Sequence, residues 1–180
     1  MASTGADVRL VPLSLASDPG LLVAVLGLDV LPEQGGFVIP ASQTFAAAAA
    51  DPDRTPFAVL AADSAVGFGV LDRRGHLAEL LDEPGRGVLL RAFYVGAGHQ
   101  GRGHGTAAAR AVRSLAAVVA PSADLVVLTV HERNAPARAA YARAGYADTG
   151  ARYTQVAGDP QLVMVAGVRR PQPRAATLSR

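Results

Sequence analysis

Apolar residues recur along this chain in short runs, separated by polar breaks rich in Gly and Pro, and two periods alternate. Residues 8–13 form a short apolar stretch that reads as a first strand. Ser17-Asp18-Pro19 opens a helix, with proline near the first turn where a backbone N–H is not needed. Leu21, Leu22, Val25 and Leu28 then follow at helical spacing until Pro32 and Gly35-Gly36 end the pattern. Ser42 is placed to cap a second helix through residues 46–50, stopped by Asp51-Pro52. Residues 57–62 and 65–71 are two apolar runs joined by Asp63-Ser64, a predicted β-hairpin. A polar link with His76, Glu79, Asp82 and Glu83 leads to a longer strand, residues 87–95. Residues 106–120 carry Ala108, Ala111, Val112, Leu115 and Val119 on one helix face, ended by Pro121. Residues 125–130 are almost wholly apolar, as in a strand covered on both faces. Residues 134–144 form a helix with Asn134 as its cap and Gly145 past its end. Residues 146–153 and 162–168 are the last two strands, with a turn at Gly158-Asp159-Pro160. No repeat or interdomain linker interrupts this order, so the pattern is α+β with a mixed sheet. One domain spans residues 1–168, and residues 169–180 read as a flexible basic tail.

Composition narrows the chemistry. The chain has 180 residues, long enough for one domain with a real core, and 50% of them are hydrophobic, which excludes disorder throughout. It has no cysteine, so disulfides, thiolate metal sites and cysteine nucleophiles are excluded. All 17 basic residues are arginine, and four of them fall in residues 169–180, where there is no acid. The rest holds 13 Arg against 15 Asp plus Glu. The basic pI therefore belongs to the tail, and with aromatics at 5% no nucleic-acid partner is expected. The apolar run 21–28 is far short of the roughly 20 residues of a membrane span. Residues 1–7 lack the basic start of a secretion signal, and the expectation is a cytoplasmic protein.

Between strand 87–95 and helix 106–120 stands a glycine cluster: Gly96, Gly98, Gly101, Gly103 and Gly105. Glycines let the backbone approach an anion closely and turn its N–H groups inward, and the following helix adds its dipole. The expectation is a bound phosphate or pyrophosphate. A Walker loop fails, because four residues lead from Gly98 to Gly103 but His104 stands where Lys is needed. Gly96, Gly98 and Gly101 do spell a dinucleotide fingerprint, but position 121 is proline and Asp124 precedes the next strand instead of ending it. A dinucleotide-binding protein remains a rival that would require NAD to bind.

The hexamer Gln100-Gly101-Arg102-Gly103-His104-Gly105 also matches the pattern Q/R-x-x-G-x-G/A. Downstream, Asn134 with Ala137, Tyr141 and Gly145-Tyr146 matches N-x-x-A-x-x-x-Y-x-x-x-G-F, with Tyr146 in place of Phe. Asn134 is the only asparagine in the chain. On these two motifs the chain resembles the GNAT superfamily of N-acetyltransferases over residues 87–153, and hairpin 57–71 fits the preceding strands. Residues 31–38, 54–58 and 66–68 further resemble a branch that includes diamine and polyamine acetyltransferases.

The resemblance implies a mostly antiparallel central sheet flanked by helices, acetyl-CoA as co-substrate, and a small-molecule primary amine as acceptor, attacking directly in a ternary complex. It implies that Gln100, Gly101, Arg102, Gly103, His104, Gly105 and Thr106 hold the pyrophosphate. Phe93, Tyr94 and Val95 would line the pantetheine arm, with a backbone N–H polarising the thioester carbonyl. Asn134 would meet that arm, or else simply cap its helix. Tyr141 would protonate the leaving thiolate, since a phenol keeps its proton at neutral pH. Many relatives carry a Glu base six positions before Val95. Here that residue is Leu89, with Arg91 two residues on, so a base on this strand is in doubt and a catalytically silent acyl-CoA-binding module is the alternative. Glu79 and Glu83 are weaker candidates for attracting the amine. His99 and His104 face the phosphates or solvent, no His pair has metal-ligand spacing, and Ser114 and Ser122 lack a His–Asp context. Relatives commonly form homodimers.

Overall fold

In a computed structural model that describes residues 7–154 and 159–170, seven strands form one sheet in the order β1-β2-β3-β4-β5-β7-β6. The strands are β1 (Arg9–Pro12), β2 (Arg54–Ala61), β3 (Ser64–Asp72), β4 (Gly87–Val95), β5 (Leu125–His131), β6 (Ala147–Tyr153) and β7 (Gln161–Gly167). The helices are α1 (Pro19–Leu26), α2 (Ala41–Ala50), a single turn α3 (Leu77–Leu80), α4 (His104–Val119) and α5 (Ala135–Ala144). Every strand pair is antiparallel except β4 with β5. That exception makes the site. β4 and β5 pair only from Gly87–Leu89 to Leu125–Val127, and beyond this register the two strands part.

Two apolar layers fix the sheet between helices. On one side Ala108, Ala109, Val112 and Ala116 of α4 pack with Val59, Val66, Val88 and Val126 of the strands. On the other, Val25 of α1 and Phe45 and Ala48 of α2 pack with Leu60, Phe68 and Val70. The pattern of every third or fourth residue on α4 is what buries this face. No helix among the described residues is long and apolar enough to cross a membrane.

Several boundaries differ from the sequence expectation for physical reasons. α2 begins at Ala41 behind Pro40, and Ser42 does not cap it. The Ala41 N–H is taken instead by the Tyr94 hydroxyl, at 3.0 Å. α4 starts two residues early, because Gly103 at φ +81° turns the loop directly into helix. The polar link after β3 contains α3, whose Leu77 is buried with Leu89, Val127 and Val163 in a third apolar cluster. Asn134 and Gly145 end α5 as expected: Asn134 Oδ1 accepts from Ala137 N at 3.2 Å, and Gly145 sits at φ +95°. The phenol that replaces the motif's Phe is satisfied, with Tyr146 Oη donating to Ala109 O at 3.1 Å. Of the basic tail, Arg169 N–H donates to Arg113 O and Arg170 Nη2 to Ala123 O, each at 2.9 Å. Residues 171–180 lie outside the described residues, as does Gly158 of the expected turn.

Candidate active site

The parting of β4 and β5 opens a cleft of about 1030 Å³ lined by both strands, the glycine loop, the first turn of α4 and one face of α5. Of the sequence candidates, Phe93, Tyr94, Val95, Gln100, Gly101, Gly103, His104, Gly105, Thr106, Asn134 and Tyr141 all line it. Arg102 is exposed and is not part of the lining, and neither are Glu79 and Glu83. Glu83 lies 3.5 Å from Arg86 instead. No carboxylate is among the described lining residues.

At one end of the cleft stands the glycine loop. Gly101 and Gly103 have φ of +75° and +81°, conformations that favour glycine. Two other helices are capped by side chains: Asp18 accepts from Leu21 N in α1, and Asn134 from Ala137 N in α5. The first turn of α4 has no side-chain cap. Among the described residues, no backbone N–H from Gln100 to Thr106 has a protein acceptor, and the first loop–helix bond is Ala107 N to Gly103 O. A run of unclaimed donors at a helix N-terminus fits a pyrophosphate. Gln100 holds the loop in place, donating through Nε2 to Val95 O at 2.9 Å and to Gln34 Oε1 at 2.8 Å. His104 Nδ1 is buried without a partner among the described residues. Burial, with Arg102 and His99 nearby, lowers its pKa and keeps the ring neutral.

The middle of the cleft is a β-bulge. Phe68 pairs with Tyr94 and Val70 with Arg91, so Gly69 alone faces both Ala92 and Phe93. Ala92 adopts φ +48°, rare for a residue with a side chain. Gly69 is needed because a Cβ there would stand 2.5 Å from Phe57 Cζ and 3.0 Å from Phe93 Cδ2. Gly69→Ala is expected to destabilise the fold by about 2 kcal/mol, lowering Tm by roughly 4–8 °C. An unchanged thermal unfolding midpoint would show that the bulge has slack. Tyr94 contributes its backbone to the lining, while its side chain ties helices to β4: its hydroxyl accepts from Ala41 N and donates to Leu28 O at 3.3 Å.

Tyr141 stands across the gap on α5, its ring centroid 6.2 Å from Phe93 and 5.8 Å from Tyr146. Burial pushes its phenol pKa well up, so it holds its proton throughout the physiological range. Tyr146 spends its hydroxyl on Ala109 O, whereas the Tyr141 hydroxyl has no protein partner among the described residues and is left for a ligand.

The structure adds residues that the sequence reading missed. His131, the last residue of β5, lines the cleft. Its Nδ1 lies 2.8 Å from Asp159 Oδ2, its side chain is only 12% exposed, and its ring centroid is 5.1 Å from that of Phe37. Arg133 completes the support, with Nε 2.8 Å from the same Asp159 oxygen and its guanidinium carbon 5.2 Å above the Phe37 ring. Nδ1–H can donate to the carboxylate, an arrangement in which Nε2 of a neutral ring would be an acceptor. Leu89, at the position where the resemblance implied a base, is fully buried.

The model of the acetyltransferase (GNAT) family matches residues 23–146, and the chain belongs to that family. No curated protein matches it. Solved structures share the fold at low identity. Spermidine N-acetyltransferase from Vibrio cholerae, in complex with CoA and spermine, is 15% identical with a TM-score of 0.64, over 89% of this chain and 95% of that one. Aminoglycoside acetyltransferase AAC(6')-Ib, in complex with Parmomycin and AcetylCoA, is 16% identical with a TM-score of 0.67, over 89% and 93%. The GNAT domain of S. lividans PAT is 18% identical with a TM-score of 0.61, over 89% and 90%.

Proposed function

We propose that this chain transfers an acetyl group from acetyl-CoA to the primary amine of a small molecule, by direct attack in a ternary complex within the β4–β5 cleft. The observation that carries the reading is the run of unclaimed N–H groups from Gln100 to Thr106, set beside the bulged, parted β4. The loop would take the pyrophosphate, and the backbone of residues 93–95 the pantetheine arm. The amine nitrogen would attack the thioester carbon, forming C–N as C–S breaks. His131 Nε2 would take the proton from the amine, and Tyr141 would give its proton to the departing thiolate. Asn134 would act chiefly as the helix cap that orients α5 and therefore Tyr141, in keeping with its bond to Ala137 N.

Acetyl-CoA at about 100 times its Kd should stabilise the protein by roughly 2.7 kcal/mol, raising Tm by about 5–10 °C, with NAD and ATP giving much less. A shift with NAD instead would transfer the loop to a dinucleotide. Released thiol then reads turnover without background, because the chain has no cysteine. Binding without turnover on any amine would favour the catalytically silent module.

A further inference from the structure

On the far side of the bulge from the glycine loop, three strands bring two arginines to one buried carboxylate. Arg54 opens β2 and is the cross-strand partner of Asp72 at the end of β3, while Arg91 sits on β4 just before the bulge. Asp72 is 2% exposed at its side chain. It accepts from Arg54 Nε at 3.0 Å, Arg91 Nη1 at 3.1 Å, Arg74 N at 3.0 Å and Gly75 N at 2.8 Å. Burial alone would raise its pKa, but these donors hold it below the ordinary value, so it stays ionised. Its lone pairs are then fully used. Asp51, 3.3 Å from the same Arg54 Nε, takes no part in the cleft lining.

The arginines, in contrast, are not used up. Both line the cleft. Both carboxylate contacts of Arg54 fall on Nε, and neither of its Nη atoms has an acceptor among the described residues. Arg91 gives only Nη1, leaving Nε and Nη2. Held guanidinium groups with unclaimed N–H donors match a carboxylate, which accepts two parallel bonds. Asp72 offsets part of this charge, but a polycation entering here would meet guanidinium donors and no carboxylate among the described lining residues.

We infer that Arg54 and Arg91 form a carboxylate-binding subsite for the acceptor, so that the acceptor is a primary amine that also carries a carboxylate. This rests on the acetyltransferase reading above. It departs from the resemblance to polyamine acetyltransferases, because that chemistry needs acids where this cleft presents arginines.

The test uses the full chain saturated with acetyl-CoA and read by released thiol. Each probe amine is offered as an amino acid and as its carboxamide, beside spermidine and phosphoethanolamine. The acids should exceed their amides in kcat/KM by about 10- to 100-fold, the worth of charge-assisted hydrogen bonds. Arg91→Gln leaves Asp72 its other three donors, so the fold should hold. It should raise KM for the acids by about 10-fold or more, leaving the amides and acetyl-CoA near wild type. Arg54→Gln should do the same, and Arg91→Lys should restore part of the loss. Preference for spermidine, for the amides or for phosphoethanolamine overturns the inference. So does an Arg91→Gln loss shared equally by acids and amides, or no turnover of any carboxylate-bearing amine. Failure of acetyl-CoA to raise Tm would instead sink the acetyltransferase reading itself.

Discussion

Tyr141→Phe is expected to lower turnover by at least ~10-fold, with acetyl-CoA affinity and Tm near wild type. The thiolate formed as C–S breaks is a poor leaving group unless it is protonated or stabilised as it departs. A phenol can serve here because it carries its proton at every pH in the working range, and burial, which shifts its pKa upward, does not remove it. The substitution keeps the ring against Phe93 and Tyr146 and removes only an oxygen with no protein partner among the described residues. Stability should therefore change by less than about 0.5 kcal/mol, the ordinary range for a substitution that disturbs no packing or bond. The effect should fall in kcat, since the hydroxyl would act on charge that appears only in the transition state. Equal kcat in the two proteins would remove Tyr141 from the chemistry and leave it as packing for α5. Tyr146→Phe is the internal control: it breaks a buried bond to Ala109 O, so it should cost stability and leave turnover largely intact.

What the sequence made legible was local. Strand 87–95 coincides with β4, and the cap at Asn134 and stop at Gly145 hold, because each signal is contained within a few consecutive residues. The glycine loop was legible for the same reason: positive φ at Gly101 and Gly103 is a demand that only a few residue types meet. The features hidden in the sequence are convergences. His131 and Asp159 are 28 positions apart and meet only because β5 and β7 pair in one register, His131 opposite Gln161. Arg54 and Asp72 are 18 apart and meet through the β2–β3 hairpin, and Arg91 joins them from a third strand. The hairpin was foreseen. Extending it to Arg54 opposite Asp72 would have shown half of this cluster, but the apolar runs that mark the strands end before those charged residues. Glu79 and Glu83 drew attention as acids near the central strand. Proximity in sequence misled there, because α3 and the turn after it carry them away from the cleft lining.

His131→Ala should lower kcat/KM by about 100-fold near neutral pH, and it should also change the shape of the pH profile. A primary amine enters largely as the ammonium ion and must lose a proton before its lone pair can attack. In the wild-type protein His131 Nε2 would accept that proton, with Asp159 fixing the tautomer through Nδ1 and stabilising the imidazolium formed. Without the imidazole, only amine already deprotonated in solution reacts, so the variant's rate should rise with pH more steeply than the wild type's. The gap should narrow from ~100-fold near neutrality toward unity as the amine's own pKa is approached. Asp159→Asn, which leaves the ring in place, should cost less, about 10-fold, and should leave acetyl-CoA binding unchanged because Asp159 does not line the cleft. The pH profile separates this role from a structural one. If His131 only packed beneath Phe37, its loss would lower Tm and scale the whole profile down without altering its shape. A His131→Ala profile parallel to wild type would therefore overturn the assignment. The base would then be sought in water ordered in the cleft or in the other lining imidazoles, His76, His99 and His104, since Leu89 offers none on β4 and no carboxylate is among the described lining residues.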